Sequence, residues 1–406
     1  MSLGGDISQP LSIVLVGIGG YGNHYVNELL DAGRAGFSIA GAVDPSPSSC
    51  RRLAELQARH VPLYSSLSQF YEKHHADLAI IATPLHFHAE QTCIALTNSS
   101  HVLCEKPLCV TPEQIRQMLR CRDRASKHVA IGYQWSFSRA IQNLKADILR
   151  GALGRARRLK SLVLWPRDEA YYRRNRWAGA IRDGAAGAWI LDSPVNNACA
   201  HYLHNLLYLS GSRVDRSAPV ATITAELYRA HPIANYDTAA LRCRTADDVE
   251  ILFIASHATQ SRKGPYFFCE FERGTVEFLD RPGATIIVRF ADGSTKDYGA
   301  PGEPRDRKLW DTIDAIRRGE DSKCGIDAAA VHTQCAWSAQ QSMPEIASFP
   351  PSLIHVTGES PARKTWIQGL GETLEDCYGR WLLPSELGAD WAVAGLEIPV
   401  ASLAET

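Results

Sequence analysis

The chain has 406 residues, of which 45% are hydrophobic and 21% charged, and its formal net charge is -1. This composition is typical of a globular protein with room for two domains, and the balanced charge argues against a nucleic-acid or membrane partner. Residues 1–10 lack the basic start of a targeting signal, and no apolar run approaches the roughly eighteen residues that span a bilayer.

The 11 cysteines are scattered and include no Cys-x-x-Cys pair. A chain of this size needs no disulfide framework, so we expect free, buried thiols. Together with the lack of a targeting signal, these thiols predict a cytoplasmic protein.

The first predicted element is an apolar, β-branched strand over 12–16 that runs into a Gly-x-Gly-x-x-Gly turn and then a helix over 21–33. In a βαβ unit the first glycine permits the tight turn, the second admits a pyrophosphate and the third allows close helix-strand packing. The sequence therefore predicts a dinucleotide site at Gly17, Ile18, Gly19, Gly20, Tyr21 and Gly22.

A second strand, over 38–43, ends at Asp44. A carboxylate about twenty residues beyond the glycines suits the two ribose hydroxyls of the adenosine half of the cofactor, which favours NAD. Arg51 and Arg52 follow closely and could accept a 2′-phosphate, so NADP stays open.

Strands and helices alternate up to residue 133, which is typical of a doubly wound parallel sheet. We predict helices over 47–59, 67–74, 87–97 and 112–127, and strands over 61–64, 77–82, 101–104 and 129–133. The first domain, residues 1–135, is therefore predicted to be a Rossmann α/β domain that binds ligands at the carboxyl ends of its strands.

After a helix over 138–150 the pattern changes to longer, alternating strands joined by short turns. We predict strands over 158–164, 221–229, 238–244, 249–255, 266–272, 274–280 and 285–290. They indicate an α+β domain, residues 136–347, with a large, open, mainly antiparallel sheet. Because an open sheet face needs a cover, we expect a homodimer or homotetramer through this sheet.

The remaining residues, 348–406, form a C-terminal extension that begins at the break Phe349-Pro350-Pro351. Its segment 364–382 predicts a helix, and the end of the chain has no clear periodicity. We expect the extension to wrap back over a domain or over a neighbouring subunit.

Several of these motifs together resemble the Gfo/Idh/MocA family of oxidoreductases, which includes glucose-fructose oxidoreductase and inositol dehydrogenase. Besides the glycine turn, the residues that carry the resemblance are Ala82-Thr83-Pro84, His88, Glu105-Lys106-Pro107, Gly132-Tyr133, the Gly151-x-x-Gly154 turn and a helix over 330–341. The resemblance implies NAD(P)-dependent hydride transfer on a sugar, polyol or related substrate.

The resemblance also implies that Thr83, Pro84, His88, Glu105 and Lys106 lie beside the cofactor. Lys106 follows a Rossmann strand in a turn stiffened by proline, so its ammonium could orient or polarise a substrate oxygen. A salt bridge with Glu105 or another carboxylate is the alternative role for Lys106.

The proton-transfer group is expected in the second domain, where family members often carry Asp-x-x-x-His on a helix. Here His201 has Asn197 four residues earlier, so an amide stands where the family has a carboxylate. An amide orients an imidazole but cannot stabilise imidazolium by charge. Asp192 and His204 are further candidates, and either histidine could instead be a packed helix residue. A metal site on the two histidines is not favoured, because no cluster of carboxylates or thiolates accompanies them.

The run 165–183 interleaves aromatic residues with arginines. Such residues can stack on a sugar ring and grip a carboxylate, but they are also enriched at interfaces. Tyr171, Arg176 and Trp177 are the substrate candidates in this run.

The sequence thus predicts an oxidoreductase that transfers hydride between NAD(P) and a hydroxyl-bearing carbon of a sugar, polyol or sugar-acid-like substrate. Lys106 would orient the substrate oxygen and His201 would exchange its proton. Two alternatives remain open. One is an NAD-dependent glycoside hydrolase or lyase that uses transient oxidation, and the other is a catalytically silent dinucleotide-binding sensor.

Overall fold

The structure is a computed structural model that describes residues 10–184, 187–302 and 306–403. Residues 1–9, which include most of the stretch expected to lack a targeting signal, lie outside this part of the chain. No helix in the described ranges is long and apolar enough to cross a membrane. The cysteines are free, and all except the half-buried Cys121 are buried, as predicted.

In chain order the strands are β1 (Leu11–Val16), β2 (Phe37–Val43), β3 (Leu63–Tyr64), β4 (Leu78–Ile81), β5 (His101–Cys104), β6 (Val129–Ile131), β7 (Ala156–Leu164), β8 (Val220–Arg229), β9 (Thr238–Thr245), β10 (Glu250–Ser256), β11 (Lys263–Phe271), β12 (Gly274–Leu279), β13 (Ile287–Phe290), β14 (Thr295–Asp297), β15 (Ala347–Ser348), β16 (Ile354–Thr357), β17 (Lys364–Ile367) and β18 (Ile398–Pro399). The helices are α1 (Gly22–Asp31), α2 (Leu53–Ala58), α3 (Leu67–Tyr71), α4 (His88–Thr97), α5 (Pro112–Ala125), α6 (Arg139–Leu149), α7 (Glu169–Arg173), α8 (Ala200–Ser210), α9 (Arg307–Arg318), α10 (Ile326–Ser342), α11 (Leu370–Arg380) and α12 (Pro384–Leu387).

The chain forms two compact units. The first contains the described residues of Met1–Cys109, Glu113–Phe137 and Pro304–Asp327, and the second contains those of Val110–Pro112, Ser138–Glu303 and Ala328–Thr406. The predicted domains differ from these units in several ways, one of which is that Val110–Pro112 groups with the second unit. The described residues of Pro304–Asp327 belong to the first unit, although they lie far along the chain. The C-terminal extension is part of the second unit.

The first unit is built on a six-stranded parallel sheet in the order β3-β2-β1-β4-β5-β6. This strand order is that of a Rossmann fold, which confirms the predicted α/β class. β1 and β4 are nearly continuous runs of buried apolar residues, because a parallel sheet is covered on both faces. The strand order reverses between β1 and β4, so the loops after Val16 and Ile81 meet at one sheet edge.

Helix α9 belongs to this first unit although it lies far along the chain. The indole of its Trp310 donates to Glu28 at 2.7 Å and contacts Phe37, with ring centroids 5.7 Å apart. Beyond the helix, the carbonyl of Cys324 accepts from the amide of Ile131 at 2.8 Å, which extends the pairing of β6. This helix was not among the predicted elements, although Leu309, Trp310, Ile313 and Ile316 recur at helical spacing.

The second unit contains a ten-stranded sheet in the order β14-β13-β12-β11-β7-β10-β9-β8-β15, with β18 beside β8. Neighbouring strands are antiparallel except for the parallel pairs β7–β10 and β8–β15. The predicted large, mainly antiparallel sheet is therefore confirmed. Helix α8 packs against β7 and β10 at the centre of this sheet.

The C-terminal extension covers part of the sheet. It folds as the hairpin β16–β17 followed by α11 and α12, and buried residues of α11 such as Leu374 and Cys377 pack with Leu162 of β7 and Ile254 of β10. The predicted helix over 364–382 is therefore wrong at its start. Residues Lys364–Ile367 pair as a strand, and Gly369 at a φ of 73° separates that strand from α11.

This packing corrects the reason for expecting a second subunit. The extension of the same chain covers β7 and β10, so the homodimer or homotetramer proposed through the open face is not needed to bury these strands. Two polar side chains of the sheet form hydrogen bonds with the extension. The ammonium of Lys160 donates to the Tyr378 carbonyl and lies 4.4 Å from the ring centroids of Tyr378 and Trp381. Ser385 donates to Glu226.

Candidate active site

The glycine turn lies between β1 and α1 and is tightly packed. Gly17 has a φ of 81°, and a Cβ on Gly22 would lie 1.9 Å from the Gly17 carbonyl oxygen. A Cβ on Gly19 would lie 2.2 Å from Oγ of Ser49. Larger residues would therefore push apart the strand, the helix and the next loop. The turn has the close backbone approach that a pyrophosphate site requires.

Asp44 follows β2 and faces this turn. Its Oδ2 accepts from the amides of Ile18 and Gly19 at 3.0 and 3.2 Å, and its Oδ1 accepts from the amide of Ser46 at 2.8 Å. The carboxylate is thus fixed at the edge of the sheet where the glycine turn lies. This position fits the predicted contact with ribose hydroxyls.

The two arginines behind Asp44 differ in their surroundings. Arg52 forms ion pairs with Asp31 and Glu55, so its guanidinium is already engaged by two carboxylates. Arg51 is exposed, and its backbone amide donates to Asn23 at 2.7 Å. Only Arg51 keeps the predicted option of contacting a 2′-phosphate.

His88 connects the loop after β4 with the turn after β5. Its ring is 1% exposed, Nδ1 lies 2.7 Å from the carbonyl oxygen of Pro107, and Nε2 lies 3.0 Å from that of Thr83. Both ring nitrogens therefore face the protein backbone. The structure places His88 beneath the two loops, where it supports Thr83 and Pro84, and not with a nitrogen directed to a cofactor.

Glu105, the residue before Lys106, is buried and forms an ion pair with Lys308 of α9. Its carboxylate also accepts from Oη of Tyr25 at 2.6 Å and from the amide of Lys106 at 3.2 Å. Burial alone would raise the pKa of Glu105, but Lys308 holds the pKa below its ordinary value. Lys308 also donates to Oη of Tyr21 at 3.2 Å. One buried cation therefore links the glycine turn to the turn that carries Lys106.

Lys308 is a site residue that the sequence analysis missed. It lies in a helix about 200 positions after Glu105, and no local motif marks it. Glu105 was considered as the salt-bridge partner of Lys106. The structure pairs its carboxylate with the buried ammonium of Lys308. Lys106 itself is half-buried at the carboxyl end of β5.

In the second unit, the segment with the proton-transfer candidates is not one continuous α-helix. Pro194–Ala198 forms a π-helical turn, and α8 begins only after Cys199, whose φ and ψ are -109° and 10°. Asn197 and His201 therefore do not share an α-helix, and the four-residue spacing does not by itself pair them. His201 is half-buried in the first turn of α8.

Asp192 lies before this turn and is buried. Its Oδ1 accepts from Nδ2 of Asn197 at 2.7 Å, and its Oδ2 accepts from the amide of Gly179 at 2.7 Å, with Arg174 at 3.5 Å. Position 197, four residues before His201, holds an amide and not a carboxylate. The carboxylate of Asp192 accepts a hydrogen bond from this amide and fixes its orientation.

His204 is 1% exposed, and its ring stacks on that of Tyr208 with centroids 5.7 Å apart. Burial lowers the pKa of His204 well below its ordinary value. The side chain therefore lies in the core beside Tyr208, and its role as a proton carrier stays a prediction.

The three candidates of the aromatic run lie near Asp192 to different degrees. Burial raises the pKa of Tyr171 to about 12, and the guanidinium of Arg174 lies 3.8 Å from the centroid of its ring. The ring centroid of Trp177 lies 5.2 Å from the same guanidinium, whereas Arg176 is exposed.

Across the described residues, no group of three or more His, Cys, Asp or Glu side chains converges as a metal site would.

Comparison with known proteins supports the glycine turn and the Rossmann sheet. Residues 11–133 match the oxidoreductase family with an NAD-binding Rossmann fold. A dehydrogenase of Comamonas testosteroni that acts on 1-carboxy-3-chloro-3,4-dihydroxycyclohexa-1,5-diene is 34% identical over 177 residues, which are 43% of this chain and 42% of that protein. D-glucoside 3-dehydrogenase of Escherichia coli is 27% identical over 147 residues, or 36% and 41% of the two chains. The chain thus matches less than half the length of these relatives.

Solved structures show the same fold over most of the chain. The WlbA dehydrogenase of Bordetella pertussis, crystallised with NADH and UDP-GlcNAcA, has a TM-score of 0.64 at 22% identity and covers 82% of this chain and 97% of its own. For myo-inositol 2-dehydrogenase of Lactobacillus plantarum the TM-score is 0.65 at 16% identity, with coverages of 83% and 98%. Residues 11–133 are therefore similar to the Rossmann domain of the Gfo/Idh/MocA oxidoreductase family, and the rest of the chain shares the fold of these solved structures.

Proposed function

We propose that the protein is an NAD-dependent oxidoreductase that transfers hydride between the nicotinamide and a hydroxyl-bearing carbon of a sugar, polyol or sugar-acid-like substrate. The observation that carries the proposal is the arrangement of the glycine turn, Asp44 and Lys106 at the carboxyl edge of one parallel sheet. The buried pair of Lys308 and Glu105 supports this arrangement, because it connects two of the three parts.

Each group has a separate task in this proposal. Asp44 accepts hydrogen bonds from the ribose hydroxyls, and the backbone of the glycine turn contacts the pyrophosphate. NAD, when bound, supplies the carbon that exchanges hydride with the substrate. Lys106 orients and polarises the reacting oxygen, and His201 takes or returns the proton of that oxygen. Asp192 acts only through Asn197, as a positioning residue.

A substrate screen tests the proposal directly. We expect net NADH formation when the protein is incubated with NAD and a panel of sugars, polyols and sugar acids. Cleavage of aryl glycosides without net NADH formation would instead indicate the hydrolase or lyase alternative. NAD binding without any turnover across the panel would indicate a sensor.

Cofactor choice is tested at Asp44. Because its carboxylate is fixed beside the glycine turn, Asp44→Ala is expected to weaken NAD binding by about tenfold and NADP binding less, as one charged hydrogen-bond acceptor is lost. Calorimetric titration with both cofactors measures the two affinities. Asp123→Ala, which removes an exposed carboxylate of α5, is the control. Tighter binding of NADP than of NAD by the unaltered protein would contradict the assignment.

A further inference from the structure

The second unit contains an alternating series of arginine and aromatic side chains, which we call the arginine–aromatic stack. Its members are Arg262, Trp165, Arg167, Tyr171, Arg174 and Trp177. The guanidinium carbon of Arg262 lies 4.5 Å from the Trp165 ring centroid, and that of Arg167 lies 4.5 Å from the Tyr171 centroid. Arg174 lies on Tyr171 as well, so this phenol ring contacts two guanidinium groups.

The charges of the stack are unequally compensated. Arg174 has the carboxylate of Asp192 at 3.5 Å. Arg167 and Arg262 form no ion pair with any carboxylate among the residues that the structure describes, and their contacts there are with aromatic rings. Arg167 is also half-buried, so its charge is partly removed from water without a carboxylate in direct contact. Such a charge is costly unless an anion accompanies it.

Two buried polar atoms in or beside the arginine–aromatic stack lack hydrogen-bond partners. Nε of Arg167 and Oη of Tyr172 are buried without a hydrogen-bond partner. Tyr172 contacts Tyr171, with ring centroids 5.1 Å apart, so both groups belong to the neighbourhood of the stack. Buried polar groups in proteins nearly always have partners, and unpaired ones call for a water, an ion or a ligand. The unpaired Nε belongs to the Arg167 guanidinium itself, and together with the hydroxyl of Tyr172 it suits an acceptor that carries negative charge.

The stack adjoins the helix that carries His201. The ring of Trp165 contacts that of Tyr202, the next residue in α8, with centroids 5.5 Å apart and nearly perpendicular. At its other end, Arg174 shares Asp192 with Asn197, which lies in the π-helical turn before α8. A group held by the stack would therefore lie close to the segment proposed to exchange the proton.

We propose that the arginine–aromatic stack binds an oxyanionic group of the substrate, with Arg167 as its main partner, so that the protein acts on acidic sugars in preference to neutral ones. The proposal rests on the proposed oxidoreductase function and names its substrate class. A carboxylate and a phosphate ester offer the same charged oxygens to a guanidinium, and both are acceptable ligands for this geometry. The aromatic rings would contact the sugar ring beside the anion.

The test compares three probes that differ in the charged group: D-glucose, D-glucuronate and D-glucose 6-phosphate. Binding of each to the NAD-loaded protein is measured by calorimetry or saturation-transfer NMR, and NADH formation is measured in parallel. We expect the unaltered protein to bind at least one anionic probe about tenfold more tightly than D-glucose, as one charged hydrogen-bonded contact is gained. The anion that binds more tightly identifies a carboxylate or a phosphate as the preferred group.

Arg167→Gln is expected to remove most of that advantage, because it weakens binding of the anionic probe far more than binding of D-glucose. Arg281→Gln, an exposed arginine in the turn after β12, is the matched control and should change neither affinity. Arg167→Lys, which keeps the charge, should retain part of the advantage and guards against a folding defect. Circular dichroism and NAD affinity verify that each variant is folded.

The outcomes separate this inference from the proposed function. If an anionic probe binds through Arg167 but no sugar is oxidised, the oxidoreductase function fails and the anion site stands. If neutral and acidic probes bind equally, or Arg167→Gln weakens both alike, the anion site is wrong even when sugars are oxidised.

Discussion

Lys106→Ala and His201→Ala are each expected to keep NAD affinity and to lose turnover by about a hundredfold or more, the usual effect of removing a positioning or acid-base group. The glycine turn and Asp44, which are proposed to hold the cofactor, remain intact in both variants. If the two groups act on one oxygen, the double variant should be scarcely slower than either single variant, because effects within one catalytic unit are not additive. Single-turnover rates with a substrate from the screen measure all three.

Lys127→Ala is the control for the lysine change, since Lys127 lies after α5 and outside the proposed site. Near-normal turnover of His201→Ala would assign His201 a structural role. Tyr171, Asp192 and His204 would then be the next candidates for the proton. Multiplicative losses in the double variant would contradict action on a single oxygen.

Lys308→Met is expected to lower the free energy of unfolding by about 3–5 kcal/mol, because it leaves the carboxylate of Glu105 buried without its partner. Urea unfolding followed by tryptophan fluorescence measures the loss. Lys323→Met is the matched control. Lys323 pairs with Asp311 in the same returning segment but is 38% exposed, and such surface pairs contribute about 0–1 kcal/mol.

The double variant Lys308→Met/Glu105→Gln should recover part of the loss, since it removes the unpaired charge. In the unaltered protein the pKa of Glu105 is lowered, so its contribution to stability is complete above the ordinary carboxyl pKa and is lost as the pH falls through the folded pKa. This acid dependence should be weaker in the double variant. A loss in Lys308→Met no larger than that of Lys323→Met would contradict the assigned role.

The sequence predicted those parts of the fold whose signals are local. β5 begins and ends where its apolar run does, and the glycine turn, Asp44 and the turn of Lys106 lie at the predicted sheet edge. These motifs can be predicted because each depends on residues that are adjacent or nearly adjacent in the sequence. The predicted strands of the second unit were also found, because alternation of apolar and polar residues is a local pattern.

The remaining features depend on contacts between distant residues. Nothing near Lys308 indicates that Glu105, about 200 positions earlier, is its partner. The spacing of Asn197 and His201 assumed a continuous helix, and the π-helical turn broke that register. Segment 364–382 was predicted as one helix. Its first four residues form a strand because they pair with β16, and this partner cannot be recognised from the segment itself.

The returning segment around α9 has a consequence for engineering the protein. The Rossmann unit is assembled from separate stretches of chain, so its gene is interrupted by the sequence of the second unit. A clone that stops near residue 135 would omit Trp310, the carbonyl that pairs with β6 and the only ammonium that the structure shows bonded to Glu105 within its described ranges. A transplant of the cofactor domain between relatives must therefore carry both stretches, and a chimera joined at a single crossover point would mix incompatible halves of one core.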